Sequence, residues 1–470
     1  MQQFEDLDDP LKGIQQKYTD KLSVADWLTR KLVSNQGNKR LPFLNWFGLK
    51  ESFSYELVEK LIRMSKVSSG STFLDPFSGT GTSIFAAANY GMNAIGIELL
   101  PFGQFLYDTR LAAFSVDMGK LKKEINNALH YVKNTDKHSD DFNFRHLTIT
   151  QGAFPQSTEI DMSKYLEYVS TIRDARVKQL LNFACFSILE QISFTSKDGQ
   201  YLRWDKRAGR KRAGDYQKKN IRTFLEAISD ALENIYSTIN GSRALSGNWS
   251  ESSNRIKIIT GSALENLPKM PPGSVDLVIS SPPYLNRYDY TRTYALELAF
   301  LGTDDVKLKE YRQQLLSCTV ENRSKDSWLR NLYGSLGRID AYNTARETFE
   351  HNQALQSILI KLKGLLDSGE LNNDGIYRMV FNYFFEHSFI IHEMARILRQ
   401  GGKIFYVNDN VRYSGISIPV DLILSDFAES SGLTVNKIFY LKRGKGNSSQ
   451  QMGSYGKDEL RKCIYFWEKP

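Results

Sequence analysis

Phe73-Leu-Asp-Pro-Phe-Ser-Gly-Thr-Gly-Thr82 is the turn on which the reading of this 470-residue chain depends. A short β-type run, Thr72–Leu74, meets an acid. A Gly-x-Gly turn then opens an Ala-rich helical stretch, Thr82–Tyr90. Glycines let a backbone approach a ligand closely, and a helix start presents unpaired N–H groups. In a dinucleotide site those groups hold a pyrophosphate within Gly-x-Gly-x-x-Gly. Here the turn reads SGTGTS, without the third glycine, and Asp75 and Pro76 stand in front of it. A carboxylate there repels a pyrophosphate and suits a cationic head, such as an amino acid's ammonium.

The next β-type run, Asn93–Glu98, also ends on an acid. A carboxylate at the tip of the second strand can hold both hydroxyls of an adenosine ribose. An unphosphorylated ribose beside a cationic head describes S-adenosylmethionine. The alternative is a tight turn in a sheet protein with an exposed strand-end glutamate.

A second signal lies 200 residues further on, in Val275-Asp-Leu-Val-Ile-Ser-Ser-Pro-Pro-Tyr284. A buried strand runs straight into Ser281-Pro282-Pro283-Tyr284. Neither proline has an N–H, so the pair fixes a stiff loop rather than extending a ladder. That loop falls at the carboxyl end of the sheet, where α/β ligands bind. An exocyclic base amine is a poor nucleophile, because its lone pair is delocalised into the ring. Acceptors placed out of the ring plane make the nitrogen more tetrahedral, and Ser281 and the Pro282 carbonyl can be those acceptors. Tyr284 can stack on an extruded base. Rigid positioning supplies much of the acceleration in such a site.

DPFSGTGT together with SPPY resembles the S-adenosylmethionine-dependent DNA amino-methyltransferases, which make N4-methylcytosine or N6-methyladenine. Phe53-Ser-Tyr-Glu-Leu-Val-Glu-Lys-Leu-Ile62 is similar to their helical element before the glycine turn, whose aromatic lies near the methionine end of the cofactor. Gly261-Ser262-Ala263 is similar to the stretch that contacts the adenine ring, with Ser262 where many members carry Asp. The resemblance implies a Rossmann-like class I fold with a mostly parallel seven-stranded sheet. It implies cofactor contacts from Phe53, Asp75, Pro76, Phe77, Gly79, Gly81, Thr82, Glu98, Ser262 and Ala263, and catalysis at Ser281, Pro282, Pro283 and Tyr284. The tetrapeptide follows the glycine turn here, whereas in the common arrangement it comes first. Serine at 281 resembles the cytosine-N4 enzymes more than the adenine-N6 enzymes. The expected function is a restriction–modification methyltransferase acting on double-stranded DNA with base flipping, with a cognate restriction endonuclease as partner. Three alternatives stay open: adenine-N6 methylation, an RNA guanine-N2 methyltransferase, and a non-catalytic nucleic-acid-binding subunit of the same fold. A cytosine-C5 enzyme is disfavoured, because no Cys follows a Pro.

Working outward, further strand-like runs lie at Arg255–Thr260, Lys403–Val407, Val435–Leu441 and Cys463–Trp467. Ser54–Lys66 sets Leu57, Val58, Leu61 and Ile62 on one helical face, and Tyr377–Leu398 reads as a long helix stopped by Gly401–Gly402. Strands alternating with helices predict a three-layer α/β fold, mostly parallel, with helices on both faces. The catalytic fold is expected over 1–110, 255–301 and 376–470. A largely helical, basic insert at 111–254 is the candidate target-recognition region, and Ile221, Phe224, Leu225, Ile228, Leu232, Ile235 and Ile239 form a core stripe within it. A second, polar and weakly periodic insert occupies 302–375.

Charge is concentrated in the first insert. Tyr201–Arg222 holds nine basic residues and two acids, a net +7 against +8 for the whole chain. Such a patch attracts phosphate backbones. Arg203, Lys206, Arg207, Arg210, Lys211 and Arg212 are the DNA-binding candidates, on an arm made flexible by Gly209 and Gly214, with Tyr201, Trp204 and Tyr216 available for stacking. Arg287, in the charged stretch after SPPY, joins them. Lys437–Lys457 is a second basic, Gly- and Ser-rich segment, expected as a mobile loop near phosphates or substrate. Cys185, Cys318 and Cys463 form no CxxC pair, and six histidines form no HExxH, so neither a disulfide framework nor a metal site is expected. The chain shows no apolar run long enough to span a bilayer and no secretory signal, and a cytoplasmic setting is expected.

Overall fold

The structure, a computed structural model, describes residues 9–50, 52–136, 139–197, 202–210, 215–242, 254–442, 445–446 and 459–470. Eight strands build the central sheet: β1 (Leu22–Val24), β2 (Thr72–Asp75), β3 (Asn93–Glu98), β4 (Ile256–Thr260), β5 (Val275–Ser280), β6 (Leu398–Asp409), β7 (Thr434–Tyr440) and β8 (Lys462–Glu468). Their spatial order is β1-β7-β8-β6-β5-β2-β3-β4. The seven expected strands are all present, but the sheet is an eight-stranded mixed sheet and not a seven-stranded one. The eighth, β1, is three residues of LSV beside β7, too short to show a period in sequence. β8 runs antiparallel to both β6 and β7. An antiparallel neighbour, unlike a parallel one, needs no crossover connection.

Successive strand residues face opposite layers. In β5, Val278 packs with the layer that contains the long helix Gly375–Ile397 and helix Val420–Ser430. Leu277 and Ile279 pack with helices Tyr55–Ser65 and Thr82–Asn89 on the other side. Leu57, Val58, Leu61 and Ile62 are fully buried there, as their spacing predicts. The long helix spans Gly375–Ile397, close to the expected bounds, but Gly401–Gly402 is not its stop. It ends at Ile397 and passes directly into β6, where the register against β5 jumps from Leu398 to Lys403 and Gly401 (φ +72°) sits in the bulge.

The first insert forms a helical body with its own core. Helices Pro101–Ser115, Met118–Asn134, Gln156–Thr171, Ala175–Ile188 and Phe224–Ser242 enclose it, joined by residues 43–49 and 288–308. Helix Pro101–Ser115 crosses the 110/111 boundary expected from sequence. Phe224, Ile228, Leu232, Ile235 and Ile239 of the stripe are buried. Ile221 precedes that helix, and Leu225 is half-buried. The second insert, weakly periodic in sequence, is four helices: Asp305–Gln314, Asp326–Ser335, Ile339–His351 and Gln353–Asp367. Leu329, Tyr333, Tyr342, Phe349, Leu355 and Ile358 join the last three to the long helix's layer, whereas Leu308 of the first packs into the core of the helical body. Among the described residues no helix is long and apolar enough to cross a membrane.

Candidate active site

The carboxyl ends of β2, β3, β4 and β5 open into one cavity with about 780 Å³ of empty space, part of it open to solvent. β2 contributes Asp75, and the turn after it contributes Pro76, Phe77, Gly79 and Thr82. Gly79 and Gly81 have φ of +53° and +83°, the left-handed region where a side chain is strained. Gly81 caps helix Thr82–Asn89 and does not line the cavity. Phe53 closes one wall, and Glu98, Ser262 and Ala263 another. Ser281 and Pro283 reach the same cavity from the end of β5, so both sequence signals meet in one space.

Asp75 is buried, and both its oxygens are engaged. One accepts from Ser280 Oγ (2.6 Å) and from the Phe77 N–H (3.0 Å); the other accepts from Ser83 Oγ. Burial outweighs these bonds and pushes its pKa up to about 6. Glu98 accepts the Gly79 and Leu100 N–H groups, each at 2.8 Å. Burial raises it to about 7, and the nearby Asp75 adds to the rise. Each carboxylate oxygen has more than one lone-pair direction, so these bonds leave acceptor capacity toward the cavity.

Ser281 donates to the Tyr284 hydroxyl at 2.8 Å. Tyr284 itself is not the open stacking surface that the sequence predicts. Its ring is 2% exposed, and Lys462 Nζ lies 4.9 Å from its centroid. Pro282 is buried and off the cavity wall. Arg287 is half-exposed in the left-handed region (φ +65°), just past this loop.

The described residues of the basic patch are more ordered than an arm. Thr195–Ser196 pairs with Arg203–Trp204, and a 3-10 turn covers Lys206–Ala208. Buried Asp205 binds Arg207 through Nε (2.8 Å) and Nη2 (2.7 Å). Lys218 donates to the Glu190, Ser193 and Thr195 carbonyls. Trp204 and Tyr216 carry Arg210 and Arg203 over their rings, at 3.7 and 4.0 Å, instead of standing open for bases. Arg203 and Lys206 are exposed. Lys211, Arg212, Gly214 and Tyr201 lie outside the described residues, as does most of the second basic segment. Among the described residues no cluster of potential ligands could hold a metal ion.

Several residues of this site escape sequence reasoning. Ser280 and Ser83 grip Asp75, and only their proximity to the two motifs hinted at them. Arg110 is buried, donates to the Thr80 carbonyl inside the glycine turn and lies 4.8 Å from the Phe85 centroid. Asn38 Nδ2 donates to the Phe53 carbonyl (3.2 Å) and its Oδ1 accepts the Tyr55 N–H (2.8 Å), fixing the Phe53 wall. Gln314, Leu315 and Leu316 bring the second insert to the cavity.

Residues 5–102 match the DNA methylase family. The type II methyltransferase M.AvaI of Nostoc sp. is 42% identical over 466 residues, covering 98% of this chain and 93% of that protein. M.AvaI of Anabaena variabilis matches equally. The type II methyltransferase M.BsoBI of Geobacillus stearothermophilus is 41% identical over 469 residues, 97% of this chain and 91% of its own. With near-complete coverage at that identity, the chain belongs to the type II DNA methyltransferases, in the N4/N6 amino-methylating group.

Proposed function

We propose that this protein transfers a methyl group from S-adenosylmethionine to the N4 amine of a cytosine flipped out of double-stranded DNA, as the modification enzyme of a restriction–modification system. The observation that carries the reading is that Glu98 and Ser281 line one cavity. We read the sheet as a Rossmann-like class I methyltransferase sheet, elaborated by β1.

The cavity's donor set fits S-adenosylmethionine. Two carboxylates at neighbouring strand tips, Asp75 buried and Glu98 half-buried, answer an ammonium and a ribose diol, and the left-handed glycine turn brings backbone close to them. Asp75, with Phe53 and Phe77 beside it, is assigned to the methionine end. Glu98 is assigned to the ribose hydroxyls, and Ser262 and Ala263 to the adenine. Bound there, the cofactor supplies an electrophilic methyl group.

The chain's own residues then act on the base. Ser281 Oγ turns from the Tyr284 hydroxyl to accept one N–H of the amine, and the Pro282 carbonyl accepts the other. That pair localises the nitrogen lone pair and aims it into the cavity. Pro283 keeps the ledge stiff, and Tyr284 is assigned to the base face once Lys462 moves aside. Serine at 281 favours cytosine over adenine. The helical body over 101–242, with exposed Arg203 and Lys206, and Arg287 beside the catalytic loop are assigned to the duplex; Arg207 and Arg210 assist by holding the basic hairpin together. A cognate restriction endonuclease is the expected cellular partner, in the cytoplasm.

Methylated plasmid digested to nucleosides tests this. N4-methylcytosine is expected. N6-methyladenine alone would overturn the base assignment, and methyl transfer to tRNA without transfer to duplex DNA would overturn the substrate.

A further inference from the structure

Ser262 offers the cavity a single short hydroxyl, and one hydroxyl cannot satisfy the edge of an adenine. That edge presents an N6 amine and an N1 acceptor side by side. Across the same opening stands Gln314, the last residue of helix Asp305–Gln314. It lines both the cavity and the open cleft that continues from it over Trp328, and Ser262 shares both walls. Gln314 is exposed, and its amide makes no hydrogen bond among the described residues.

The main chain that carries it is held on both sides. Upstream, Arg312 Nε lies 3.1 Å from Asp289 Oδ2, in the segment that follows the SPPY loop. Downstream, the Ser317 N–H donates to Glu386 (2.8 Å), and Lys325 Nζ donates to the same carboxylate (2.6 Å). Glu386 is fully buried within the long helix, and Lys325 is 8% exposed. A buried ion pair is weak evidence for stability but fixes geometry well. Residues 312–317 are thus a strap with fixed ends, and Gln314 is its free head at the cavity mouth.

Resting on the cofactor reading above, we infer that Gln314 recognises the adenine edge, its carbonyl accepting from the N6 amine and its NH2 donating to N1. A primary amide offers one donor and one acceptor in a plane, the complement of that edge. The second insert, unexplained by either sequence motif, thereby completes the cofactor site.

Calorimetry with S-adenosylhomocysteine and with its analogue lacking the 6-amino group tests the inference without turnover. In the wild type, removing the amino group should weaken binding about tenfold, the net worth of one well-made hydrogen bond whose acceptor is left unpaired. Gln314→Ala removes both bonds, so it should weaken the adenosyl compound by more than that and abolish the difference between the two. Gln314→Leu, which keeps the bulk, should behave like Gln314→Ala. Equal weakening of both compounds, or unchanged affinity for the adenosyl compound in either variant, would overturn the assignment. If the wild type bound neither compound, the cofactor reading of the cavity would fall first, and this inference with it.

Discussion

Burying Asp75 without a counter-ion destabilises the ligand-free protein, and Asp75→Asn should expose that cost. Its pKa rises from 3.8 to about 6. A folded-state value above the unfolded one means that the folded chain holds the proton more tightly. The group's stabilising contribution is therefore complete below about pH 4 and is lost as pH rises through 6. The shift of roughly two units corresponds to about 3 kcal/mol. Asparagine has nearly the same shape and can still accept from Ser280 and the Phe77 N–H, while the Ser83 hydroxyl turns to accept from its amide. Thermal unfolding of both proteins without ligand, at pH 5 and pH 8, measures the effect. About half of that contribution is already gone at pH 5, so the wild type should lose about 1.5 kcal/mol to the variant between these conditions. The same variant should bind S-adenosylhomocysteine 10- to 100-fold more weakly, on the order of one charge-assisted hydrogen bond. A stability gap that does not widen toward alkaline pH would refute the burial argument. Unchanged ligand affinity would refute the ammonium contact.

Ser281→Ala should lower turnover by about a hundredfold, as loss of one hydrogen bond made in the transition state does elsewhere, and leave S-adenosylhomocysteine affinity unchanged by calorimetry. Glu98, pushed up to about 7, must ionise to accept two ribose hydroxyls; wild-type affinity for that ligand should climb between pH 6 and 8, and in Glu98→Gln it should be weaker and flat across the range. Lys206→Glu combined with Arg203→Glu should weaken DNA binding and reduce the salt slope by about 2 in fluorescence anisotropy titrations. Arg207→Ala should instead lower the thermal midpoint with little change in slope, because its guanidinium holds buried Asp205.

The parts legible in sequence are those where chemistry and local backbone coincide. A strand running into a special turn shows both a hydrophobic run and a punctuation of Gly or Pro, so β2, β3 and β5 and the residues at their tips could be read directly. β1 carried no such mark, and the antiparallel return of β8 is a matter of what lies between two strands rather than of either strand. The basic stretch misled in a different way. Counting charge does not separate a cation facing solvent from one already spent: Arg207 is held by the Asp205 carboxylate, Arg210 by the Gln151 carbonyl and Lys218 by the Glu190, Ser193 and Thr195 carbonyls. Arg110 left no trace either, since an arginine on a helix face ordinarily reads as surface, and only the fold brings the Thr80 carbonyl to it. Tyr284 was recognisable as a residue but not as a buried one, because Lys462 arrives from the far end of the chain.

The order of the two motifs along the chain, glycine turn before SPPY, has no bearing on the geometry, and the reason lies in the sheet. β5 and β2 are parallel neighbours, with Phe73 opposite Leu277 and Leu74 opposite Val278. Continuing that register puts Asp75 level with Ile279 and Ser280 one residue beyond, so the two strand tips end at the same height. Adjacent strands are about 4.8 Å apart, close enough for one carboxylate to bridge them, and Ser280 Oγ reaches Asp75 across 205 positions of sequence. The residue that precedes the SPPY loop, the ledge proposed to activate the amine, therefore holds the carboxylate assigned to the cofactor. Any rearrangement of chain order that preserves this strand pairing preserves the site, whereas a slip of one residue between β5 and β2 would turn Ser280 to the opposite face and part the donor end from the acceptor end.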